Sequence, residues 1–352
     1  MRHFVMCCAV ALVCAPALAA VQGEAPTLAF LGQRDGQVEV YSWAVGAPEP
    51  RKLSDAGATW GAYLRWSPDG RRLCAILYKE ALELWVIGAA SGAGQSVSPP
   101  GKDANEPCWD EDGATLYYLA GFTWPVGSPE RRQAAAMAAE GLSLQRIYRV
   151  SADGGPATAI KGPGRYFDLA PAPGGGVVFG EDLGNCTSRL VQVDRDGKEV
   201  RRWEPGKGEW LGAPAPFGKV LAAERLVGWE SDVAVLSDAT SQIAANGKLI
   251  WFPTWSPDGK QLLAETFSDG RRAILLLDVN RANARLWRRP APDEDQWYPQ
   301  WSPDGKLIAY TSDRGGKWSV HVATIEGQDA AVLPRIFERA YGGVFRPAGG
   351  EK

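Results

Sequence analysis

Histidine is nearly absent from this chain of 352 residues: there are two, His3 and His321. One histidine outside the first few residues excludes a multi-histidine metal centre and leaves at most one imidazole-based catalytic site, built on His321. Cysteine is scarce too. Of six cysteines, Cys7, Cys8 and Cys14 fall in the first 14 residues, leaving Cys74, Cys108 and Cys186. An odd number leaves at least one free thiol even under oxidising conditions. Cys74 and Cys108 sit in apolar strand patterns and read as buried small hydrophobes. No basic excess exists. The formal net charge is −3, which excludes the electrostatic footprint expected for nucleic acid or anionic lipid. Long hydrophobic runs are missing as well. The apolar stretch Phe4–Cys14 is too short to span a bilayer, and with Arg2 before it and Ala17-Leu18-Ala19 after it, residues 1–19 read as a secretory signal. No membrane span is expected once that signal is removed.

What the chain has in quantity is Gly (41), Pro (25) and Trp (15). Many turns combined with many large aromatics indicate an all-β protein of short strands. Trp66-Ser67-Pro68-Asp69-Gly70 recurs at 255–259 and 301–305, with a weaker copy at 109–113 and degenerate copies beginning at Ala170, Ala213 and Phe345. Successive copies start 43, 61, 43, 42, 46 and 44 residues apart, the period of a four-stranded propeller blade. Each motif closes an inner strand a, and an apolar strand b, an alternating strand c and a short strand d follow. Residues 27–53 read as b, c and d without an a, and residues 341–346 as an a alone. Pairing them completes one blade and closes the ring. The count is seven blades, with six as the alternative should one degenerate copy not form a blade.

The repeated Trp-Ser-Pro-Asp-Gly with its Leu/Ile-rich following strands resembles the PD40, or TolB-like, β-propeller repeat, and the resemblance covers essentially the whole chain after residue 19. TolB is a periplasmic protein of the Tol–Pal envelope system, so the resemblance implies a periplasmic or secreted protein. The α/β domain that precedes the TolB propeller has no room here, because strands begin near Thr27. Prolyl-oligopeptidase-like peptidases carry the repeat beside a hydrolase domain, which this sequence does not show. Oligogalacturonate lyases carry it with a histidine-rich metal site that these residues cannot supply. No cofactor and no metal are therefore expected.

Repetition assigns the motif tryptophans to packing between blades rather than to ligand stacking. Function is expected where loops vary, on the face formed by the d–a and b–c loops. The candidate rim there comprises Trp60, Tyr63, Glu106, Tyr166, Asp168, Trp210, Asp295, Trp297, Tyr298, Arg339 and Tyr341. Aromatics with polar tips suit protein contacts and sugar stacking alike. No catalytic residue is assigned, since no nucleophile–base signature accompanies the acids. His321 lies in a strand c, where a half-buried or surface position is expected. The long interval contains residues 122–145, where Ser128, Pro129 and Glu130 suit a helix start and an Ala-rich stretch runs to Gly141. A short helical insertion overhanging the rim is expected. The function these features favour is a monomeric, non-catalytic scaffold binding an envelope or extracellular protein or peptide. The alternative is a propeller that binds or cleaves carbohydrate with its rim aromatics and carboxylates.

Overall fold

The computed structural model describes residues 25–54, 63–78, 81–99, 103–121, 144–184, 186–207, 209–228, 230–237, 241–245, 249–281 and 283–347. The expected signal (1–19), Trp60 and the insertion at 122–145, up to residue 143, lie outside the described residues. Twenty-eight strands form seven antiparallel four-stranded sheets, the blades of a β-propeller. No helix occurs among the described residues.

The first blade is made from both ends of the described chain. Strands β1 (Thr27–Arg34), β2 (Gln37–Ala44) and β3 (Arg51–Ser54) supply b, c and d, and β28 (Arg339–Phe345) supplies a. Leu28 lies opposite Phe345, Ala29 opposite Val344, and Gln33 opposite Arg339. The ring is closed by the pairing expected from the two incomplete fragments, and the count is seven. The other inner strands are β4 (Leu64–Trp66), β8 (Ala104–Trp109), β12 (Tyr166–Pro171), β16 (Glu209–Phe217), β20 (Ile250–Trp255) and β24 (Gln296–Trp301), in blades two to seven.

The motif folds locally. In Ser67-Pro68-Asp69-Gly70 the Gly70 amide donates to the Ser67 carbonyl (2.8 Å), with Pro at the second position of the turn. Ser67 Oγ donates to Asp69 Oδ1 (2.6 Å) and accepts the Arg72 amide (2.9 Å), and Ser256 and Ser302 do the same in their blades. The tryptophan works between blades. The indole N–H of Trp66, Trp109, Trp255 and Trp301 donates to Val344, Arg65, Ala215 and Thr254, each a carbonyl on strand a of the preceding blade. A single side chain thus fills the wedge between two sheets and satisfies a backbone acceptor there.

Apolar clusters lie between successive blades, so the core is a ring of sheet-on-sheet interfaces rather than one centre. Between blades two and three, for example, Cys74, Ile76 and Leu84 meet Trp109, Leu116 and Tyr118. Cys74 and Cys108 are buried and Cys186 is exposed, and none forms a disulfide. His321 departs from expectation. On β26 (Ser319–Thr324) it is buried, 4% exposed, against the Tyr310 ring at 5.4 Å, with Arg314 Nη2 3.4 Å from Nδ1. Tyr310 from strand b and Arg314 from the b–c turn cover a position that alternation alone assigns to the outside. Burial, followed by the Arg314 charge, pushes its pKa down to about 4, so the ring is neutral.

Candidate functional site: the channel wall

Every described inner strand from blade three to blade seven slips register at the same place. The slips fall between Asn105 and Cys108, Phe167 and Ala170, Gly212 and Ala215, Trp251 and Thr254, and Trp297 and Gln300. The residue at each bulge takes a left-handed backbone: Glu106, Asp168, Ala213, Phe252 and Tyr298 have φ between 44° and 54°. In β28 the same place is taken by Gly342, at φ 67°, for which this conformation carries no steric cost. Proline follows the bulge at 107, 214, 253 and 299, where an N–H is not needed for the ladder. Recurrence around the ring marks the bulge as a property of the architecture. It sets one left-handed residue at the same place on the inner strand of six blades.

The consequence is electrostatic. Glu106, Asp168 and Tyr298, from blades three, four and seven, all lie within electrostatic range of Tyr63 beside β4, and burial, followed by the Glu106 and Asp168 charges, raises the Tyr63 phenol to about 12. Burial, then the Asp168 charge, raises Glu106 to about 7, the Asp168 and Leu169 amides holding it back. Burial also raises Asp168, whose Oδ2 accepts the Ala213 amide at 2.7 Å.

Two further acids belong to this wall. Glu224 on β17 (Val220–Val227) and Glu265 on β21 (Gln261–Ser268) pair with Gly212 and Trp251, the residues just before the bulges of their blades. Glu265 is 2% exposed; its Oε1 accepts the Tyr298 amide (2.8 Å) and its Oε2 lies 3.3 Å from Arg272. Thr311, in the corresponding place of blade seven, accepts the Gly342 amide (3.1 Å). Glu224 is 6% exposed and has neither hydrogen bond nor ion pair among the described residues. Burial and then Asp168 raise its pKa to about 8. Both acids interrupt apolar strand-b runs, Leu221-Ala222-Ala223-Glu224 and Leu262-Leu263-Ala264-Glu265. That was the available signal, and a search confined to loops does not reach it.

The remaining expected rim residues lie elsewhere. Trp297 packs on Trp318 (4.9 Å), which meets Tyr341 edge-on and carries the Arg339 guanidinium 6.0 Å from its ring. Trp210 stacks on Phe167 at 4.8 Å, between blades four and five. Tyr166 is buried against Phe179, in the core. Asp295 accepts the Arg272 amide (2.7 Å) and its own amide donates to Asp313 (2.7 Å), pinning a d–a loop. The structure therefore gathers Tyr63, Glu106, Asp168 and Tyr298, keeps Tyr341 within range of Tyr298 and Trp210 beside Asp168 at Gly212, and places Tyr166 in the core and Asp295 in a pinned loop. At the opposite end of the channel, the a–b turns border a cavity of about 520 Å³ lined by five prolines and three tryptophans among other residues, with Arg65 and Glu111 on its wall.

These acids make stability depend on pH in a definite direction. The folded pKa values of Glu106 and Glu224 lie above the ordinary carboxylate value of 4.5, so the folded state binds protons more tightly. Their contribution is complete below about pH 4.5 and is lost as pH rises through about 7 and 8. Glu224→Gln is expected to flatten this loss by a few kcal/mol, on the order of 1.4 per pKa unit. Denaturant unfolding at about pH 5.5 and about pH 9 measures it. Parallel pH profiles for the two proteins would contradict the assignment.

No protein-family model matches the chain, and no curated protein does. Solved structures match it widely. TolB from Acinetobacter baumannii is 12% identical at a TM-score of 0.56, over 92% of this chain and 68% of that one. An oligogalacturonate lyase in complex with manganese is 17% identical at 0.66, over 85% of each chain. A puromycin-hydrolyzing peptidase of Mycobacterium tuberculosis is 14% identical at 0.64, over 88% of this chain and 53% of that one, so the chain spans about half its length. What the chain shares with them is the β-propeller fold, built here from seven blades. Enzymes are among the proteins so built, and the fold alone does not select an activity.

Proposed function

We propose that this protein is an exported, periplasmic or secreted, non-catalytic scaffold that binds a protein or peptide partner on the face formed by its d–a and b–c loops. One observation carries the reading. Of eleven exposed large hydrophobic residues among the described residues, nine lie at that end of their strands or loops, Tyr78, Phe252, Phe267 and Tyr298 among them. Only Val200 and Phe217 lie toward the other face. Apolar surface concentrated on one face of a ring is what a partner site presents.

The test compares the two faces. The native protein, Phe252→Ser/Phe267→Ser and Phe217→Ser are each used as bait in an envelope extract, with cross-linking. A partner held in stoichiometric amount by the native protein and by Phe217→Ser, and lost by the double variant, is the expected result. Retention by the double variant with loss by Phe217→Ser would refute the choice of face.

The pair Glu106 and Asp168 favours a second reading, because a carboxyl raised to about 7 beside another acid is suited to protonate a leaving group, as glycan cleavage requires. Release of reducing ends from a polysaccharide panel, abolished by Glu106→Gln, would carry it. Absence of turnover by the native protein removes it.

A further inference from the structure

We propose that Glu106, Asp168 and Glu224 form a receptor in the channel for a guanidinium or alkylammonium group, supplied by a basic side chain of the bound partner. This rests on the partner-binding reading above and names the chemistry it selects.

Glu224 is the observation that points to a ligand. Its blade neighbours show what this position does when satisfied: Glu265 and Thr311 each accept the bulge amide of the next blade. Glu224 accepts nothing, though it is 94% buried by its 6% exposure and is within range of the Asp168 charge. A buried carboxylate without a hydrogen bond is costly, and a cationic donor removes that cost. Glu106 adds a fully buried atom, Oε2, that has no hydrogen bond.

The spacing selects the class of cation. No three of the described acids, histidines and cysteines approach closely enough to share a metal ion. Acceptors spread over three blades suit a group whose N–H donors diverge, and a guanidinium presents five in a planar fork. Tyr63 lies within electrostatic range of Glu106 and Asp168, and a cation gains from an aromatic face. Arg65, the chain's own cation acting on Glu106 and Tyr63, is already engaged: its guanidinium lies 5.9 Å from the Tyr63 ring and donates to the Leu64 carbonyl at 2.9 Å. Arg272 serves Glu265.

The experiment is calorimetric titration of the native protein at about pH 9 with argininamide and, as its neutral isostere, citrullinamide. Argininamide is expected to bind, citrullinamide to bind roughly tenfold or more weakly, and Glu224→Gln to weaken argininamide by a similar factor. Equal binding of the two compounds, or no change in Glu224→Gln, overturns the receptor while leaving the loop-face result standing. Capture of the partner should also fall in Glu224→Gln. Argininamide binding with partner capture unaffected overturns the assignment of the cation to the partner.

Discussion

Deleting residues 339–352 is expected to abolish cooperative folding rather than trim the protein. The deletion removes β28, which is the inner strand of the first blade. It uncovers the edge of β1, where Leu28, Ala29, Phe30 and Leu31 are at most 1% exposed. It also removes the Val344 carbonyl from the Trp66 indole and takes Arg346 from the Gly70 carbonyl, so the second blade loses its neighbour as well. An uncovered apolar edge strand is a template for pairing with another chain, so aggregation is the expected fate of the truncated protein. A synthetic peptide covering 336–352 is expected to restore a soluble, cooperatively unfolding species when added during refolding. A truncated chain that is monomeric and melts like the full one would show that the ring does not depend on this seam.

Asp110→Ala is expected to cost about 2 kcal/mol or more, the range for leaving buried hydrogen-bond donors unpaired, since the Arg195 side of the ion pair is itself half exposed. In the third blade Asp110 stands where the strong motif copies have serine, and it is 0% exposed. Its carboxylate accepts from Arg195 Nε (3.0 Å) and Nη2 (2.9 Å), Tyr117 Oη (2.7 Å) and the Gly176 amide (3.2 Å). The last bond explains the substitution. The fourth blade has Ala172 where a serine would receive the amide closing the turn, and Asp110 reaches across from the neighbouring blade to receive it instead. Removal strands Tyr117 and Gly176 as well as the Arg195 guanidinium. Burial opposes ionisation, but Arg195 and then Tyr117 and Gly176 outweigh it and hold the carboxyl at about 2. A depressed folded pKa gives stability that is present above the ordinary value of 3.8 and lost as pH falls toward 2. Guanidinium unfolding at neutral pH reads the effect, and Asp110→Asn, which keeps the shape, should lose less than Asp110→Ala. A loss below about 1 kcal/mol in the alanine variant would show that the network is a surface ion pair in effect.

The same contrast runs through the rest of the molecule. Turns were legible because they are local: Ser67, Pro68, Asp69 and Gly70 complete their hydrogen bonds within six residues, so the composition of the motif reports its geometry. The closing pair was legible because a chain beginning with b, c and d and ending with a leaves one arrangement without open edges. His321 was not. Its burial depends on Tyr310 and Arg314, which alternation along one strand does not register. Of the acids, Glu106 and Asp168 were singled out as members of the d–a segments, and the structure sets them inside the inner strands β8 and β12. Glu224 and Glu265 were missed because a carboxylate inside an apolar strand run acquires meaning only from what the strand faces.

The repeat and the closure were determined by sequence alone, since each follows from periodicity and from short-range hydrogen bonding; seven blades rather than six was decided by the structure, in which every degenerate copy builds a four-stranded sheet. The site was decided by the tertiary structure. A bulge repeated on six inner strands brings residues far apart in the chain together beside a strand-b acid, and burial with the Asp168 charge then raises the carboxylates of Glu106 and Glu224. Burial and mutual charge depend on distance in space, which spacing along the chain does not encode.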